Sequence, residues 1–171
     1  MEHFSQVSAA ATCSDLARAA QSTATKVQVM VPASSIGDQV IQKRLSFLIA
    51  GLQKFGEQAD HLGHCVADAS VVHPQLRDIL KQALLDCENA MSILSDSLLS
   101  EHGELGVDTA SRYQAFLAAS SRFFVFSTQL LTIESEQQQH SKLASPDAQD
   151  ILDTAHNATK GVFSLRYVTQ N

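Results

Sequence analysis

Three groupings of side chains have the residue types that chemistry needs. The first is His61-His64-Cys65. On a helix His61 and His64 share a face at i, i+3, and Asp60 reaches His64 at i, i+4. Two imidazoles and a thiol could open a zinc or other transition-metal site. Completing it takes ligands from a second helix, where Cys87 is the obvious thiol donor. Structural zinc sites show paired close spacings, which this chain lacks, and Cys65 and Cys87 both fit an apolar period. No metal site is expected. The second grouping is a di-metal carboxylate bundle, which requires two Glu-x-x-His motifs and two further glutamates. The chain has no Glu-x-x-His; Asp153-Thr154-Ala155-His156 is the nearest imitation and stands alone. The third is a nucleophile. With three cysteines and seven histidines many pairs can be imagined, but nothing singles one out. Gly-x-Ser-x-Gly, Gly-x-x-x-x-Gly-Lys and Gly-x-Gly-x-x-Gly are all missing. The residues therefore predict no catalytic site and no cofactor, and the chain reads as a non-enzyme.

The elements that would position these residues are helices. Proline and glycine punctuate the chain sparingly, with three and seven copies. Pro32 closes a first segment, Pro74 follows His73, and Pro146 follows Ser145. Ser145-Pro146-Asp147 is a helix start with serine as N-cap, proline at the first helical position and an acid near the positive end of the dipole. Gly103 and Gly106 bracket another break, after which Asp108 or Thr109 can cap, and Ser34-Ser35 with Asp38 marks a weaker start. These marks predict helical segments at about 4–30, 36–70, 74–102, 108–142 and 146–166. The first could break near Ser22-Thr23. The last could stop at Lys160-Gly161-Val162 and continue as an extended tail.

Periodicity agrees. Ile41, Leu45, Leu48, Leu52, Phe55, Ala59, Leu62 and Val66 alternate at spacings of four and three, a heptad seam. Leu76, Leu80, Leu84, Cys87, Met91, Leu94 and Leu98 repeat it, as do Ala148, Ile151, Ala155, Ala158, Val162 and Leu165. The seams of the second and third segments should meet, so Leu48, Leu52, Phe55 and Leu62 are expected beside Leu80, Leu84, Met91 and Leu94. The short connection at His73-Pro74 would make that pair antiparallel. Gly56 and Gly63 read either as a close approach of a flanking helix or as tolerated weak points. The fold expected is all-α: a single domain over residues 1–171, an up-and-down bundle of four to five long antiparallel helices.

The fourth segment concentrates aromatics at Tyr113, Phe116, Phe123, Phe124 and Phe126. Spread over more than one face, they fit a central helix. They also fit an exposed patch, and on that reading Tyr113, Phe116, Phe124 and Phe126 bind a protein partner, a second copy of the chain included, as a weak homo-oligomer.

The 171 residues suit one domain, and the 44% hydrophobic content supports a full core. Charged residues are only 18%, against a usual ~25%. The net charge of −6 excludes a nucleic-acid binder that lives on phosphate contacts. From Asp86 to Asp108 six acids occur with no lysine or arginine: Asp86, Glu88, Asp96, Glu101, Glu104 and Asp108. That run is a solvated helix end or a docking surface for a basic partner, and it repels anionic headgroups. The longest stretch free of charged residues, His3 to Ser14, is too short to span a bilayer. Met1-Glu2-His3 opens without a basic region or apolar block, so no signal peptide, no membrane contact and a cytoplasmic location are expected. The cysteines, odd in number and without Cys-x-x-Cys, read as reduced small apolar side chains.

The third segment runs Gln75-Leu76-Arg77-Asp78-Ile79-Leu80-Lys81-Gln82-Ala83-Leu84-Leu85-Asp86-Cys87-Glu88-Asn89-Ala90-Met91-Ser92-Ile93-Leu94. With its Asp-Cys-Glu helix, set after a long heptad helix and an Ala/Ser-rich N-terminal one, residues 1–102 resemble the N-terminal helical (HeLo-like) domains of fungal NLR-like STAND proteins. The resemblance implies a helical bundle that self-associates in cell-death or incompatibility signalling. Membrane-active members begin with a Gly-rich apolar helix, whereas here Ser8 to Ala24 is rich in Ala, Ser and Thr and carries Asp15 and Arg18. The alternative function is a bundle that holds an apolar ligand or lipid between its helices. Small residues at Ala9 to Ala11, Ala17, Ala19, Ala20, Ala155 and Ala158 would leave the room.

Overall fold

Backbone hydrogen bonding defines the helices, and side-chain caps mark the starts of several of them. The computed structural model describes residues 5–33, 39–100 and 107–169. Its helices are α1 (Gln6–Ala33), α2 (Gln39–Asp68), α3 (Pro74–Ser100), α4 (Val107–Leu131), the short α5 (Glu136–Leu143) and α6 (Pro146–Thr169). Ser145 caps α6, its hydroxyl accepting from the Ala148 amide at 3.2 Å. His73 caps α3, Nδ1 accepting from the Gln75 amide at 3.0 Å. Asp108 lies in the first turn of α4 and pairs with Arg112 at 3.1 Å. The start expected at Ser34–Asp38 and the glycines at 103 and 106 lie outside the described residues.

Two alternatives left open by the sequence are decided, and one expected boundary is corrected. α1 runs unbroken through Ser22-Thr23, where the Thr23 hydroxyl donates back to the Ala19 carbonyl at 2.7 Å and so stays satisfied inside the helix. α6 continues past Gly161 to Thr169 rather than stopping there. The segment expected at 108–142 is two helices. The chain turns after Leu131, and Ser135, in extended conformation (φ −119°, ψ 121°), caps α5 by accepting from the Gln138 amide.

All the long helices contribute to one core, and α1 runs antiparallel to α2 as α4 does to α6. Gln6, at the start of α1, donates to the carbonyls of Val66 (2.9 Å) and Ala69 (2.8 Å) at the end of α2, satisfying orphan carbonyls there. The neighbour order is not the chain order, however. α1 packs on α2, α2 on α4, α4 on α6, and α3 closes the ring between α6 and α1. Leu48, Leu52, Phe55 and Leu62 share the core with Leu80, Leu84, Met91 and Leu94 as expected. Yet α2 and α3 are not packed as an adjacent pair among the described residues. The cause lies in α4, whose buried arc from Ala110 to Leu131 is wide enough to touch several neighbours.

The α1–α2 contact is the closest. A Cβ built on Gly63 would stand 2.9 Å from Cys13 Cβ and 3.3 Å from the Ala10 carbonyl oxygen. At Gly56 the nearest atoms are the Ala17 carbonyl oxygen at 3.4 Å and Ala20 Cβ at 3.5 Å, ordinary contact. The small residues Ala10, Cys13, Ala17 and Ala20 of α1 thus let α2 approach closely.

Candidate functional site

The expected partner-binding aromatics come first. Tyr113, Phe116 and Phe124 are fully buried, and only Phe126 is partly exposed. Phe55 of α2 meets Phe116 at 5.7 Å and Phe124 at 5.2 Å between ring centroids, in tilted pairs that add to area burial. These rings are the α2–α4 core, and the patch expected on α4 is corrected: Tyr113, Phe116 and Phe124 have no face to offer a partner. The cause is the same wide arc, since neighbours cover α4 on several sides.

The His61-His64-Cys65 grouping disperses. His61 and His64 are exposed, His64 pairing with Asp60 at 3.6 Å, while Cys65 is half-buried. Cys87 lies elsewhere, its thiol donating to the Ser120 hydroxyl at 3.8 Å. Among the described residues no three His, Cys, Asp or Glu side chains converge on a point where a metal could sit. Burial pushes the Cys13 and Cys87 thiols up to about 12; for Cys87 this outweighs the lowering by its Ser120 hydrogen bond. Cys65 is raised as well, by burial and then by Asp68. None of the three has the depressed value of a reactive thiolate.

The best-connected polar group is Gln139, fully buried on α5. Its amide nitrogen donates to the carbonyls of Val71 (3.0 Å), Ile133 (2.9 Å) and Leu130 (3.2 Å). Its oxygen accepts from the His73 amide at 2.8 Å. One carboxamide thus ties the α2–α3 connection, the end of α4 and α5 together. The sequence places Gln139 only in a three-glutamine run, and its role was missed because its partners are distant backbone groups.

What the surface offers is apolar side chain on α2. Val40 and Phe47 lie at i, i+7 on one face and are 64% and 57% exposed. The Lys43 ammonium sits 5.9 Å from the centre of the Phe47 ring. Phe47 falls off the Leu45-Leu48-Leu52 seam, a signal legible in the sequence. Several depressions flank the bundle, and two of them contrast in polarity. One, of about 720 Å3, is a polar channel between α1 and α2 edged by Arg18, Gln21, Gln53, Glu57 and Asp60. The other, of about 290 Å3, is mainly apolar and lies where α3 and α6 meet over α4. Among the described residues no helix is long and apolar enough to cross a membrane. Comparison with family models, with curated proteins and with solved structures gives no match for this chain.

Proposed function

We propose that this chain is a non-enzymatic interaction module that associates with further copies of itself through the outer face of α2, in the clustering kind of signalling that its HeLo-like resemblance implies. The observation that carries this reading is the exposed Val40–Lys43–Phe47 face. A phenylalanine more than half open to water contributes little to its own fold, and a partner that covers it gains the burial. Charge indicates the second copy as that partner. From Gln39 to Gly56 the chain carries Lys43, Arg44 and Lys54 and no acid. On α3, Asp86, Glu88 and Asp96 carry the opposite sign with no base among them. The basic apolar face of one copy therefore complements the acidic face of another. Contacts between two unlike patches close about a two-fold axis or propagate, and propagation is what clustering requires.

The test is Phe47→Glu against the control Val7→Glu, which alters an exposed valine at the start of α1. Light scattering at rising concentration should show association in the wild-type chain and in the Val7 variant, and its loss in the Phe47 variant. Equal association in all three would overturn the α2 face as the contact.

A further inference from the structure

The groove where α3 and α6 meet over α4 shares Asp86 with the acidic face of the association just described, and the rest of its lining lies apart from Glu88 and Asp96. Its walls are Ile79 and Ala83 of α3 and Leu152 and Ala155 of α6, and Phe123 of α4 lies at its floor. The alanines matter most: any larger side chain at 83 or 155 would fill the space that they leave. The volume of about 290 Å3 is roughly twice the ~150 Å3 apolar cavity that admits benzene, so it suits a body of about ten heavy atoms.

The polar groups on its edge have one sign. Asp86 stands on the α3 wall, half-buried, and Asp153 on the α6 wall, exposed. Gln82 and His156 complete the edge, and no lysine or arginine lines the groove. Asp86 and Glu88 also act on the nearby Cys87 thiol, in the direction expected of a negative local field. An apolar trough beneath two carboxylates fits a molecule with an apolar body and a cationic head, and it repels a fatty acid of the same length. We infer that this groove is a binding site for small amphiphilic amines, the alkyl or aryl body lying on Phe123 between Ala83 and Ala155 and the ammonium between Asp86 and Asp153.

Octylammonium, octanol and octanoate serve as matched probes, with titration calorimetry for affinity and methyl NMR of Ile79 and Leu152 for location. Octylammonium should bind roughly tenfold more tightly than octanoate, the scale expected of two solvent-screened ion pairs. Its binding should shift the Ile79 and Leu152 methyls. Asp86→Asn with Asp153→Asn should bring the ammonium to the level of octanol. Ala155→Phe should abolish binding of all three; if that variant fails to fold, the Asn pair, at positions not sealed in the core, still decides. Equal or tighter binding of octanoate, shifts confined to other methyls, or no octylammonium binding up to millimolar concentration would each overturn the site.

Discussion

Cys13 and Cys87 should behave as apolar side chains until the solution is strongly alkaline. Both thiols are held near 12 in the folded chain, above the ordinary value near 9 that applies once the chain unfolds. A folded value above the unfolded one gives stability that is complete below pH 9 and drains as pH rises towards 12. The loss is on the order of 1 kcal/mol per pH unit for each thiol. Urea unfolding at pH 8 and at pH 11 should therefore show a smaller loss for Cys87→Ala than for wild type. In the same chain Cys65, the half-exposed thiol, should be alkylated by iodoacetamide well before the other two. The second prediction concerns Gln139. Gln139→Leu strands the His73 amide and up to three carbonyls in or near the core, and should cost about 2–4 kcal/mol in urea unfolding. A cost below about 0.5 kcal/mol would mean that water replaces the amide freely. The cap of Ser135 on the Gln138 amide is local, yet the reading of 108–142 as one helix passed over it. Gln139 was not legible, because a buried glutamine is told from its neighbours only by carbonyls that the fold brings to it.

At the scale of the helix, the glycines of α2 separate two readings that the sequence leaves open. Gly63 is a true close approach, and Gly56 is not. Gly63→Ala should destabilise by about 1–3 kcal/mol, since the new methyl must push against Cys13 Cβ and the Ala10 carbonyl. Gly56→Ala should be neutral or stabilising by up to about 1 kcal/mol, the helix-propensity gain with little steric cost. Thermal or urea unfolding of the two variants side by side checks this, and equal effects would contradict the packing described. The heptad seams showed which face of α2 and α3 is buried, and Leu48, Leu52, Phe55, Leu62, Leu80, Leu84, Met91 and Leu94 lie in the core accordingly. They did not show which helix faces which, because a spacing of three and four defines a stripe and not its partner. α4 illustrates the gap. Its aromatic excess predicts a helix with several neighbours or one with an exposed patch, and the burial of Tyr113, Phe116 and Phe124 decides for the former.

Across the whole molecule, the ring order of the helices leaves the α2 face with Val40 and Phe47 on the outside and the acidic stretch of α3 on another part of the same chain. In the proposed association the basic apolar face of one copy meets the acidic face of another. Sedimentation equilibrium at roughly micromolar to millimolar concentration, in about 50 mM and 500 mM salt, tests this most directly. The account predicts an average mass that rises with concentration at low salt and rises less at high salt, where the Debye length falls below the reach of the facing charges. A single mass of 18.5 kDa at every concentration and in both salts would contradict it.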